Sequence, residues 1–177
     1  MSAFEDILEE FREAVSGPAD EVPLARAALV IARAEYPDLD VVSYEQRLQD
    51  IADTLEQQLA RGGVRSHPRR TIQTVNQLLY RELGFRGNND HYDDPRNLFL
   101  NYVLTERLGI PVSLAIVYSE VCQRVGLDVH TIGLPGHVIC RYRPEDAEAE
   151  TDELLLDAHS FGRLMTRRDC QILVRNI

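Results

Sequence analysis

Apolar residues recur at helical spacing through the first half of the chain and give way to short β-rich runs in the second. Phe4, Ile7, Leu8 and Phe11 make the first amphipathic stripe, and Ser16-Gly17-Pro18 ends it. An alanine-rich helix is expected over about 23–35, stopped at Tyr36-Pro37 because the residue before a proline is pushed out of the α region. The pattern Ser43-x-x-Gln46 reads as a capping box opening a third helix, whose buried face carries Tyr44, Leu48, Ile51, Leu55 and Leu59. Ile72, Val75, Leu79 and Leu83 predict a fourth over about 68–83, closed by Gly84.

The stretch from residue 94 to 142 is the most informative. Asp94 as N-cap, Pro95 at the first helical position and the apolar positions Leu98, Tyr102, Leu104 and Leu108 predict a helix that stops at Gly109. After the Gly109-Ile110-Pro111 corner a second helix should run to Gly126. It is apolar on nearly every side through Leu114, Ala115, Ile116, Val117, Tyr118, Val121, Cys122 and Val125, and is therefore expected at the centre of the fold. Two β-rich runs, 129–134 and 137–142, flank Pro135-Gly136, and a third covers 154–158 beyond an acidic stretch. Helices followed by antiparallel strands define an α+β class, with N-terminal helices and a central buried helix packed on a small antiparallel sheet. The core is expected to include Leu114, Ile116, Val117, Val121, Leu127, Ile132, Ile139 and Leu155.

At 177 residues the chain is long enough for one domain with a proper core. That domain is expected to cover 1–177, with a helical part over about 1–85 and the central helix plus strands over about 94–165. The segment from Met165 to Ile177 is expected to be a short terminal helix or extended segment packed only lightly.

The motifs GIPVSLAIVYSEVCQRVGL, PGHVICRY and LLLDAHSFGRLM, preceded by LGFRGNNDHYDDPRN, resemble the transglutaminase-like domain of the SirB1 family. The resemblance runs from about residue 24 to 169 and implies a core of the papain-like cysteine protease type. In active enzymes of that type a cysteine at the start of the central helix attacks a carbonyl, a histidine moves the proton and an aspartate orients the histidine. A helix N-terminus lowers a thiol pKa, and a general base needs a fixed tautomer.

Carried over residue by residue, the histidine corresponds to His137 and the aspartate to Asp157. Counting back from Gly126 without gaps, the cysteine position falls on Pro111, which has no nucleophilic atom. A shift of two residues brings Ser113 there instead. Ser113 then has two readings: the nucleophile of a Ser113, His137, Asp157 triad, or a hydroxyl spent on the first turn of its helix. Cys122, Cys140 and Cys170 sit wrongly for the thiol role and read as apolar thiols. Asn97 and Asn101, one turn apart in the DPRN region, either line the cleft beside His137 or tie down the loop near Asn88.

No cofactor or metal is expected. His130, His137, His159 and Asp157 match no compact ligand spacing, and the Asn88 to Asp94 loop lacks the glycine and glutamate of an EF-hand, so turn chemistry explains it better. The net charge of −10 and pI near 4.9 disfavour a nucleic-acid or anionic-membrane partner and leave a protein or peptide partner, with the oligomeric state open. The odd cysteine count, with neither a signal peptide nor a spanning apolar run, fits a reducing cytoplasm, and the resemblance implies a bacterial one.

Two functions follow from the resemblance. One is a transglutaminase-like domain without cysteine-dependent activity, kept as a binding or regulatory scaffold. The other is a serine-dependent hydrolase or acyltransferase acting on an amide or ester through Ser113, His137 and Asp157. Members of the family often continue into a C-terminal helical repeat region, so the chain also reads as the N-terminal half of a larger regulatory protein.

Overall fold

The computed structural model describes residues 3–18, 22–145, 147–149 and 152–175. Four helices come first. The amphipathic α1 (Ala3–Ala14) lies against α2 (Leu24–Ala32), which is shorter than its alanine-rich sequence predicts at both ends. Asp40 rather than Ser43 opens α3 (Val41–Gly62): its carboxylate accepts the Ser43 N–H at 3.2 Å, which places Ser43 inside the first turn. Gly63, at φ 57°, ends that helix.

The expected fourth helix divides. α4 (Pro68–Asn76) passes into a π-helical turn, Gln77–Glu82, which ends before Gly84. The wider turn lets the consecutive residues Leu78, Leu79 and Tyr80 all be buried, something 3.6-residue periodicity does not allow for.

The helix expected between Asp94 and Gly109 also breaks. Asp94 caps a 3₁₀ turn, Pro95–Leu98, accepting the Arg96 N–H at 2.9 Å, but Phe99 is extended at φ −87°, ψ 117°. α5 (Leu100–Glu106) follows and ends at Arg107, φ 62°, before Gly109 is reached. The cause lies in the next residues. Leu108–Gly109 is a short strand, β2, paired in parallel with β1 (Arg86–Gly87), and this pairing pulls the chain out of the helix.

The central helix α6 (Pro111–Arg124) forms as its composition requires, with Gly126 at φ 75° beyond its end. Its faces pack on α2, α3 and α5 and on the strands β3 (Asp128–Leu134) and β4 (His137–Arg143). Glu120, buried within α6, accepts the Ala25 N–H at 2.9 Å and so caps α2. The antiparallel sheet continues through β5 (Leu154–Asp157) and β6 (Arg163–Met165), in the order β3-β4-β5-β6.

Leu114, Val117, Val121, Leu127 and Ile139 are buried as expected. Ile116, Ile132 and Leu155 are only half-buried. Leu155 alternates with the core residue Leu156, so it lies with Ile132 on the sheet face away from α6. The light packing expected of Met165–Ile177 fails at its first residue, because Met165 is buried in β6 beside Leu155, whereas none of the residues of α7 (Arg167–Arg175) is buried; residues 176–177 lie outside the described residues. One hydrophobic cluster joins the N-terminal helices, α6 and the sheet. Among the described residues no helix is long and apolar enough to cross a membrane.

Candidate functional site

His137 opens β4, and Asp157 closes the neighbouring antiparallel strand β5. This brings His137 Nε2 to 3.2 Å from Asp157 Oδ2, with both side chains largely buried. The contact is close but poorly directed, because Nε2 makes no aligned hydrogen bond there.

Asp157 is engaged elsewhere too. Its Oδ1 accepts the N–H groups of His159 and Ser160 at 3.0 and 3.2 Å, and its Oδ2 accepts the Ser160 hydroxyl at 2.8 Å. The carboxylate therefore folds the turn that follows β5 and meets His137 with the same oxygen that holds Ser160.

That turn is anchored to the helical half. Tyr80 donates to the Ala158 carbonyl at 2.8 Å, and Asn76 donates to the Gly162 carbonyl at 2.9 Å while accepting from Tyr118 at 3.0 Å. A Cβ on Gly162 would stand 2.0 Å from Asn76 Oδ1, so only glycine fits, and its φ of 66° makes the same demand. The π-helical turn matters here because it carries Tyr80. Burial lifts the phenols of Tyr80 and Tyr118 well above their ordinary range, so both remain neutral donors.

A second imidazole borders the pair. The ring of His159 stands edge-on to His137 at 6.5 Å and to Tyr92 at 6.2 Å. Its pKa is lowered, first by burial and then by His137, against the opposing pull of Asp157. The sequence placed His159 only in a metal reading, and its signal as a neighbour of His137 was no more than its position two residues after Asp157. Among the described residues no group of three His, Cys, Asp or Glu side chains is placed to hold a metal ion.

Ser113 lies in the first turn of α6 and is buried. Its Oγ accepts the Ile110 N–H at 3.1 Å and donates to the Ile110 carbonyl at 3.2 Å, and among the described residues it has no hydrogen bond to His137. Pro111 is the first residue of the same helix and offers no donor. Burial raises the thiols of Cys122 and Cys140, and Cys140 turns its sulfur to the Ala115 carbonyl inside the core. His130 lies apart from this cluster, in contact with Asp128 and Gln123.

The two asparagines divide. Asn97 is fully buried, accepting from Asn88 at 2.9 Å and donating to the carbonyls of His91 and Tyr92, so it pins the loop that brings Tyr92 to His159. Asn101 is also buried, but its carboxamide makes no hydrogen bond among the described residues.

His137 and Asp157 thus meet at the ends of neighbouring strands of the sheet that packs on α6. Residues 42–177 match the model of the transglutaminase-like superfamily, and the chain belongs to that family. It is similar to a UPF0162 protein of Xylella fastidiosa (strain 9a5c), 35% identical over 88% of this chain and 53% of the relative. A UPF0162 protein of the Temecula1 strain is 37% identical over 81% of this chain and 48% of its own length. The chain thus spans about half the length of these relatives. It is also similar to mouse F-box only protein 21, 32% identical over 58% of this chain and 17% of that protein. No solved structure matches.

Proposed function

We propose that this domain is a binding or regulatory scaffold of the SirB1 type that has given up cysteine-dependent chemistry and keeps the His137 cleft as a docking surface for a protein or peptide in the cytoplasm. One observation carries this reading: the Ser113 hydroxyl, the sole nucleophilic group at the start of α6, is bonded in both directions to the backbone of Ile110. A hydroxyl so engaged has no base to activate it. The comparisons lend support, since similar stretches form about half of the UPF0162 proteins and a small part of F-box only protein 21, as a module joined to other segments would.

The second reading, a serine-dependent hydrolase or acyltransferase on an amide or ester, is favoured by the 3.2 Å approach of His137 to Asp157. A rotation of Ser113 toward His137 would be needed to complete it. Fluorophosphonate labelling separates the two. The scaffold reading expects no adduct at Ser113. An adduct that disappears in both His137→Ala and Asp157→Asn, with the variants still folded, establishes the hydrolase instead.

A further inference from the structure

β3 forms one outer edge of the four-stranded sheet, and its register to β4 fixes which of its backbone groups face outward. The two-residue turn Pro135-Gly136 joins Leu134 to His137, and a turn of that length closes on a hydrogen-bonded pair. Leu134, Ile132 and His130 therefore turn N–H and C=O toward β4, while Val129, Thr131 and Gly133 turn theirs to the open side. Val129 agrees with this parity. Its N–H donates to the Leu127 carbonyl at 2.8 Å and its carbonyl accepts from Gln123 Nε2 at 2.7 Å, so the edge is closed there from within the chain. The outward backbone groups of Thr131 and Gly133 have no such partner among the described residues.

The open stretch suits a second backbone. Gly133 lies in the strand with no positive φ to demand glycine, and a Cβ placed there would meet nothing within 4 Å. A glycine inside a strand gives up packing and lets another backbone come close. From Val129 to Leu134 the strand carries none of the lysine, proline or acidic residues that keep an exposed edge from pairing. Ile132 and Leu134 are half-buried on the sheet face away from α6, with apolar surface still to cover.

We propose that this edge pairs with the same edge of a second copy of the chain, antiparallel and centred on Ile132, so that two four-stranded sheets become one. In that register Thr131 of each copy meets Gly133 of the other, and each pair exchanges both N–H···O bonds, which satisfies every open group. Ile132 meets its own counterpart as a non-hydrogen-bonded pair, the closer kind, and covers it. The end of the ladder favours a second copy over a foreign strand. An arbitrary strand would bring an N–H to the Val129 carbonyl, which Gln123 already occupies, whereas this register sets Pro135 there, a residue with no N–H. The net charge of −10 opposes the encounter of two copies, but salt screens it, and no carboxylate lies between Val129 and Leu134. The pairing uses neither His137 nor Asp157 and stands whether or not they are catalytic.

Sedimentation equilibrium of the wild-type chain at raised ionic strength, across a dilution series, is expected to show a mass rising from one chain toward two. Thr131→Pro removes an outward N–H and leaves the β4 ladder intact, because proline is tolerated on an edge whose N–H faces away from the sheet. It is expected to sediment as one chain at every concentration. The register is read by oxidation in a Cys170→Ser background, which removes the one cysteine that is not buried. There Ile132→Cys is expected to give a disulfide-linked dimer, since its two thiols face each other, and Leu134→Cys, set opposite His130, is expected to give little. A wild-type chain that stays single at the highest concentration overturns the proposal and leaves the edge to a strand of another protein. A dimer that survives Thr131→Pro in folded protein overturns it, as does equal cross-linking in the two cysteine variants, because the contact then lies elsewhere. Should Thr131→Pro fail to fold, the cysteine variants decide alone.

Discussion

The imidazole of His159 rests on the backbone of Gly87, so close that a Cβ at that glycine would stand 2.4 Å from Nε2. β1 is a strand of two residues, but it forms the surface against which the imidazole neighbouring His137 rests. Gly87→Ala should force the ring outward and lower stability by about 1–3 kcal/mol, the usual cost of overpacking. Thermal unfolding measures the loss, and a shift of the His159 ring resonances locates it. An unchanged ring environment would show that His159 does not lean on this strand.

Ser113→Ala removes a hydroxyl that satisfies both backbone groups of Ile110. Denaturant unfolding should show a loss of about 1 kcal/mol with an unchanged m-value, as for other cap deletions. A neutral effect would mean that the hydroxyl is free for other work.

Thiol reactivity should follow burial. In the native protein iodoacetamide is expected to leave Cys122 and Cys140 unmodified and to reach Cys170, which is half-buried on α7. The Cys170 thiol is raised above its ordinary value by partial burial first and by Asp169 next, so its labelling rate should still be climbing at pH 9. Peptide mapping by mass spectrometry reads each site. Modification of Cys122 at neutral pH in folded protein would contradict the buried position of α6.

The lowered pKa of His159 makes stability depend on pH in one direction. Burial favours the neutral ring, so the unfolded chain binds more protons than the folded one between the folded value and the ordinary value of about 6.5. The stabilisation is full above that ordinary value and is lost as pH falls through the folded one. His159→Gln should therefore flatten the decline in stability on acidification from neutral pH, read as denaturant midpoints across that range. The same slope in variant and wild type would place the titrating group elsewhere.

The central helix and the β3–β4 hairpin are visible in the sequence because they depend on long apolar runs and a Pro-Gly turn. β6 is not, since Arg163–Met165 has too few residues for alternation to show and forms only because the Asp157 turn delivers it to β5. The break at Phe99 and the early stop at Arg107 depend on pairing with residues 86–87, which local propensity cannot register. The same holds for the residues singled out as a site. His137 and Asp157 stand out through motif and strand position, whereas the separate duties of Asn97 and Asn101 depend on which partners the fold brings to each.

The bond from Ala25 to Glu120 joins residues 95 positions apart and caps the start of a nine-residue helix that has no side-chain cap of its own. A helix so short is marginal in isolation, and its nucleation is the unfavourable step. The order of events during folding follows: α6 must be seated in the core before α2 has a stable beginning. A ribosome releasing this chain from the N-terminus would expose residues 24–32 well before Glu120 is synthesised, leaving their apolar side chains bare in the interval. α2 is thus made before its cap and completed only after it.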